Sequence, residues 1–343
     1  DATVAAYERF GARAIYARMF ADLVPPEVTD YGDAVIAKEP DVVHYDVNEN
    51  AAEALASIEA LMDRHHGRAD GRIQVWPAPG VAGFVTVEGL LAAKDLARRR
   101  GTKLTIHVAE SPFDRSRAGI SIIQYLATIG FLGPDVLAAH CVQVDANDLR
   151  ILRHHDVRIA YNPVSNMFLG SGIAPVTEML TAGLTVGIGT DDPNCNNTVN
   201  MLSDLKLAAL AQKARYRDAA AITAERVLEM ATIDGARAIG LDHEIGSIAV
   251  GKKADLILVD LSGPQHVPVY SVPSALVYQA WGNEVDTVIV DGRVLVRDRV
   301  FTMLDEGEQA ALLRDAREAS QAVVRRAGLE RSRDRGWRSS TGV

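Results

Sequence analysis

Up to Gly240 the chain alternates short, near-continuous apolar runs with longer stretches whose apolar residues recur at helical spacing. The runs Ala14–Phe20, Arg72–Trp76, Leu104–Val108, Val136–His140, Arg158–Asn162 and Thr185–Thr190 predict strands. Most are apolar at successive positions, as strands covered on both faces of a parallel sheet are. One predicted helix starts near Thr86 and ends at Arg98-Arg99-Arg100 before Gly101, with cations at its negative end and glycine as terminator. Another starts at Asp145 as N-cap and closes at His154-His155. Ala174–Ala182 ends at Gly183, and Thr198–Lys213 reads as a long amphipathic helix. This β-α-β-α order predicts an α/β fold on a parallel sheet. Six strands suit an open doubly wound sheet, whereas a (β/α)8 TIM barrel needs eight, so the count leaves both open.

After Gly240 the pattern changes. Gly246, Gly251, Gly263, Gly282 and Gly292 punctuate the short runs Ala254–Val259, Ala275–Tyr278, Val285–Val290 and Arg293–Val296. Asp291-Gly292 is a hairpin signal. These features predict a small β module. Leu312, Leu313, Ala316, Ala319, Ala322 and Val323 then predict an amphipathic surface helix, followed by the polar run Arg331–Val343.

Composition narrows the class. The chain has 343 residues, 48% hydrophobic and 24% charged, which excludes disorder. It exceeds one ordinary two-layer core, which stops growing near ~250–300 residues, leaving two domains or a barrel. A net charge of −9 argues against nucleic acid or anionic membranes as partners. No run approaches the ~18–20 apolar residues of a membrane span. Residues 311–343 hold eight Arg against four Asp and Glu, a local +4 that leaves −13 elsewhere. With only Cys141 and Cys195, a reducing cytoplasm is the expected location. The chain opens at Asp1 without methionine, so a processed product or fragment is expected.

In parallel α/β folds, reactive groups gather at the C-terminal ends of strands. There lie His107 with Glu110 three residues on, His140 and Asp191. Two imidazoles and a carboxylate at one rim match the ligand chemistry of zinc or iron. Such a metal lowers the pKa of water from 15.7 toward ~7, and Glu110 or Asp191 could then shuttle protons. There is no G-x-S-x-G elbow and no P-loop. Gly187-x-Gly189 reads as close packing at a strand end, not as a dinucleotide site. His65-His66 and His154-His155 read as helix C-terminal residues, and His44, His243 and His266 as loop residues.

The run Thr105-Ile-His-Val-Ala-Glu-Ser111, then Ala139-His140-Cys141, then Gly189-Thr-Asp191, resembles the metal-dependent amidohydrolase superfamily. Within it, the likeness is closest to the triazine hydrolase and aminohydrolase branch, with its melamine deaminases and atrazine chlorohydrolases. Val164–Pro175, Leu228–Arg237 and Asp242–Ser247 extend the resemblance, which runs from about Val75 to Trp337-Arg338. It implies a (β/α)8 barrel and one divalent metal per subunit, Zn2+ or Fe2+, with His107, His140 and Asp191 as ligands. Glu110 would bind a ring nitrogen and relay protons, His140 would ligate the metal or orient water, and Asp191 would be the general base. Homo-oligomers are common in the family.

The loop Asp191-Asp-Pro-Asn-Cys-Asn-Asn197 separates two chemistries. The resemblance assigns Asp192 and Cys195 to the substrate side in the deaminase pattern, where chlorohydrolases carry Asn and Ser. An amine leaves poorly unless protonated, and chloride needs no proton, so an extra carboxylate suits ammonia loss. Pro193 replaces an expected glycine. The family's His-x-His pair from the first barrel strand has no counterpart here. The expectation is therefore a barrel represented by strands three to eight over residues 1–240. Residues 241–302 would be the C-terminal half of a β-sandwich, and 303–343 a helix and tail. The expected function is hydrolytic deamination of an s-triazine or related aminated N-heterocycle (melamine-, guanine- or pterin-like). The alternatives are dechlorination of a chlorotriazine and a truncated, non-catalytic chain that binds metal weakly.

Overall fold

The computed structural model describes residues 1–23, 49–114, 116–117 and 119–326. His44, the Arg331–Val343 run and Trp337-Arg338 lie outside them. Among the described residues, six parallel strands form the body: β1 (Ala14–Phe20), β2 (Ile73–Pro79), β3 (Leu104–Val108), β4 (Val136–His140), β5 (Arg158–Tyr161) and β6 (Val186–Ile188). β1 pairs with β2 along its whole length, and β3, β4, β5 and β6 pair in that order. β2 carries Pro77 and Pro79, which cannot donate to a ladder. It meets β3 only at the Val81–His107 bridge, where His107 N donates to the Gly80 carbonyl at 3.0 Å.

Strand order therefore follows chain order. A doubly wound sheet reverses direction at a switch point, and this wall does not. That resolves the ambiguity of the strand count in favour of a barrel wall. β3 and β4 alternate buried and half-buried residues instead of being buried throughout. Leu104, Ile106 and Val108 sit in the core, while Thr105 and His107 alternate with them and are only half-buried.

Helices link the strands: α1 (Ala2–Phe10), α2 (Ala51–His65), α3 (Val87–Arg100), α4 (Ile122–Thr128), α5 (Ala146–His154), α6 (Pro163–Phe168), α7 (Val176–Thr181), α8 (Pro193–Asn196), α9 (Met201–Tyr216), α10 (Ala224–Ala231) and α11 (Ile233–Ile239). Their ends follow local chemistry. Thr86 Oγ1 accepts from Gly89 N, and Gly101 closes α3 in left-handed backbone. Asp145 caps α5 with a reciprocal bond to Asp148. Leu90, Ile106, Ile123, Leu126 and Val136 are fully buried between wall and helices, each stabilising the fold by roughly 1.5–3 kcal/mol. α9 is not simply amphipathic: Leu202, Leu205 and Ala209 are buried, yet Leu207 and Leu210 face solvent.

Beyond α11, β7 (Leu256–Val259), α12 (Val272–Tyr278), β8 (Val285–Val290), β9 (Arg293–Arg297) and β10 (Val300–Phe301) form the C-terminal module. Its antiparallel sheet has the order β10-β9-β8-β7. Asp291 and Gly292 both adopt positive φ, as a tight hairpin turn requires. The run Ala275–Tyr278, expected as β, is helical: Ser271 Oγ accepts from Ser274 N and starts α12. The module docks on the strand starts through Arg13, whose Nε lies 2.5 Å from Asp255 Oδ2, and through a Phe10–Phe301 ring contact at 5.3 Å. α13 (Glu306–Arg326) buries no residue and leaves Leu312, Leu313 and Val323 exposed. Among the described residues no helix is long and apolar enough to cross a membrane.

Candidate active site

Three of the strand ends leave β geometry through a left-handed non-glycine residue: Ala109 after β3, His140 and Cys141 at β4, and Asp191 after β6. Such backbone costs about 1–3 kcal/mol per residue and persists where the surroundings enforce it. The consequence is clearest at His140. By register it pairs with Val108, a core residue, and not with His107. Paired residues of a regular sheet share a face. With φ of 74° at His140 the pleat ends, and its ring instead stacks on His107 at 5.3 Å with 21° between the planes.

His107 Nδ1 lies 2.8 Å from the Gly80 carbonyl, which can only accept, so Nδ1 carries the proton and Nε2 keeps a lone pair. His140 Nδ1 lies 2.8 Å from Asn166 Oδ1, which fixes the same tautomer, while Asn162 Nδ2 stands off at 3.5 Å. His140 is buried, and its Nε2 faces Glu110 Oε2 at 3.6 Å and Asp191 Oδ2 at 3.9 Å. Asp191 is held from two sides: Ser165 Oγ donates to Oδ2 at 2.6 Å and Asp192 N donates to Oδ1 at 2.7 Å. Glu110 sits on a loop tied by Asp114, whose carboxylate accepts from Glu110 N and Ser111 N at 3.1 and 2.9 Å. Burial, and then the charge of Glu110, raises Asp114 against these hydrogen bonds.

The structure thus brings His107, Glu110, His140 and Asp191 together. Cys195 is half-buried on the loop after Asp191, and burial, then the charges of Asp191, Asp192 and Glu110, raise its thiol. Asp192 is exposed on the rim. Pro193 opens α8, a position where its missing N–H costs nothing. Gly187 and Gly189 are packing residues, as expected. A Cβ would lie 3.0 Å from Gly235 Cα at the first and 2.6 Å from Asn162 Oδ1 at the second. His266 is not a solvated loop residue: it is buried with Nε2 3.2 Å from Glu284 Oε1.

Ser165, Asn166 and Asp114 were not singled out in the sequence. The first two lie within the Val164–Pro175 stretch that carries the family resemblance, yet nothing in their spacing names a target. As metal donors, His107, His140 and Asp191 fit in type and tautomer. Among the described residues, however, no three His, Cys, Asp or Glu side chains converge closely enough to hold an ion, so these donors alone do not close a cage.

Parallel strands in chain order, with His, Glu and Asp at their C-terminal ends, define a (β/α)8-type hydrolase wall. The chain belongs to the amidohydrolase family, whose model matches residues 2–295. It is 46% identical over 324 residues to an S-triazine hydrolase of Gordonia rubripertincta, covering 94% of this chain and 68% of that one. It is 42% identical over 285 residues to a 5'-deoxyadenosine deaminase of Methanosarcina acetivorans, covering 82% of this chain and 65% of that one. An adenosine deaminase from Xanthomonas campestris, solved with zinc bound, superposes with a TM-score of 0.82 at 27% identity, covering 93% of this chain and 68% of that one. A triazine hydrolase from Arthrobacter aurescens gives 0.81 at 25% identity, covering 94% and 68%. The chain therefore spans about two thirds of the length of these relatives. The family is metal-dependent.

Proposed function

We propose that the protein hydrolyses an amino group from an s-triazine or related aminated N-heterocycle, releasing ammonia. The observation that carries this reading is His140 Nε2 facing both Glu110 and Asp191 at one rim. The names of the relatives, triazine hydrolase and deoxyadenosine deaminase, support the same class. One divalent ion per subunit, zinc or iron, held by His107, His140 and Asp191 with ligands from elsewhere, would supply an activated water near pH 7.

The chain's own groups account for the proton traffic. Asp191, oriented by Ser165 and the Asp192 N–H, accepts a proton from the attacking water. Glu110 gives a proton to the ring nitrogen, which draws electron density from the amine-bearing carbon. His140 orients the water between the two carboxylates. The proton taken from water passes from Asp191 to the amine, which leaves as ammonia with the C–N bonding pair; the ring nitrogen returns its proton to Glu110, and the ring keeps the hydroxyl. One water is consumed for each ammonia released. Asp192 and Cys195 would border the substrate. The extra carboxylate there favours an amine over chloride as leaving group.

Residues 1–240 are taken as the barrel part, 241–302 as the β module and 303–343 as helix and tail. Free thiols at Cys141 and Cys195 support a cytoplasmic setting. Ammonia release from melamine, guanine, pterin or cytosine by the full-length, metal-loaded protein tests the function. No release from any of them overturns it, and chloride release alone from a chlorotriazine selects dechlorination. A chelator-resistant, stoichiometric metal in the 343-residue chain would contradict the weak binding that the open donor set implies.

A further inference from the structure

The loop that presents Asp191 and Cys195 has an internal anchor away from both. Asn196, the last residue of α8, is buried at 5% exposure. Its Nδ2 donates to the Thr190 carbonyl at 2.6 Å and to Asp204 Oδ2 at 3.2 Å. Its Oδ1 accepts from Thr198 Oγ1 at 2.9 Å. Both amide protons and the amide oxygen are therefore used. Asp204 is fully buried in the first turn of α9, with Ser203 Oγ at 3.5 Å from its other oxygen. α9 is fixed in turn: Asn200 caps it through Ser203 N at 3.3 Å and donates through Nδ2 to the Trp281 carbonyl of the C-terminal module.

A buried carboxylate with few donors is costly, and α9 would be better packed with an apolar residue there. Its geometry gives it a use. Thr190 immediately precedes Asp191, whose left-handed backbone must be held in place. Asn196 immediately follows Cys195. One side chain thus spans the loop behind both site residues and ties it to the helix beneath.

We propose that Asn196 and Asp204 are positioning residues that set the Asp191 carboxylate and the Cys195 thiol against the substrate. This rests on the proposed hydrolytic role of Asp191. Asn196→Ala breaks the link to Thr190, and Asp204→Leu removes the anchor while filling its volume. Asp204→Asn keeps an acceptor for Asn196 and is the conservative rescue.

The test measures two things on each variant of the metal-loaded protein. Steady-state deamination should show kcat down at least 10-fold for Asn196→Ala and Asp204→Leu, KM within 3-fold, and both constants within 3-fold of the parent for Asp204→Asn. Amide hydrogen exchange, which needs no substrate, should quicken at least 10-fold across residues 189–197 in the first two variants only. Unchanged exchange in Asn196→Ala overturns the positioning role, and so does a kcat loss shared equally by Asp204→Asn. If Asp204→Leu does not fold, Asn196→Ala decides alone. A parent without deaminase activity defeats the functional reading, while exchange still decides whether the pair holds the loop.

Discussion

At His140 a single dihedral decides whether an imidazole joins the core or the rim, and the groups around it decide what the imidazole can do. Asn166 Oδ1 holds the His140 Nδ1 proton, so Asn166→Ala frees the ring and tautomer. Zinc affinity measured by competition with a chelator should fall about 10–100-fold, the usual loss when a ligand's hydrogen-bond partner goes. Unchanged affinity would exclude His140 as a ligand. Ser165→Ala removes the hydroxyl that orients Asp191, and kcat should drop about 10-fold with KM little altered, since the contact serves proton transfer and not binding.

Asp204 supplies a pH signature. Burial pushes its carboxyl up to about 6, from an ordinary value near ~3.9 in the unfolded chain. Between those values the folded state binds more protons than the unfolded one, so stability falls as pH rises through the window and levels off above it. Urea unfolding from pH 4.5 to 7 should show the parent losing on the order of 1–3 kcal/mol relative to Asp204→Asn. Parallel curves would contradict it. The four rim residues were legible because a polar, ionisable residue at or just past the end of an apolar run stands out. Ser165, Asn166, Asn196 and Asp204 were not, since their partners lie on other elements and hydrogen bonding has no sequence period.

Elements were read well where a local signal sets them. Thr86, Gly101 and Asp145 act as caps through their own atoms, and β1, β3 and β4 match their apolar runs end to end. The failure at Ala275–Tyr278 has a physical reason. Four apolar residues fit a strand or a helix turn equally, and the Ser271 cap and a proline in the first turn decide it from outside the run. Close approach was legible too. Gly187 faces the Gly235 backbone, which cannot yield. Gly187→Ala should therefore destabilise the fold by about 1–3 kcal/mol, read as a lower urea midpoint at unchanged slope. A loss under about 0.5 kcal/mol would show that α11 can retreat from β6.

For the whole molecule, the apolar pattern suggested an α/β body and a β module and left barrel and open sheet both open, while the family resemblance chose the barrel. Strand order agrees with that choice, and order depends on which distant segments pair. We propose the homo-oligomer that the family resemblance implies, and the exposed Leu312, Leu313 and Val323 on α13 support a contact there. Leu312→Glu with Leu313→Glu should shift the sedimentation mass to that of one subunit, and an unchanged oligomer would place the interface elsewhere.

The central claim is that Glu110, His140 and Asp191 form one amine-hydrolysing site. The most direct measurement is ammonia release by the full-length, zinc-loaded protein on aminated heterocycles, set beside Glu110→Gln. The account predicts one ammonia per hydroxylated product and a loss of at least 100-fold in kcat for the variant, because the glutamine cannot protonate the ring nitrogen. Ammonia release undiminished in Glu110→Gln would contradict it.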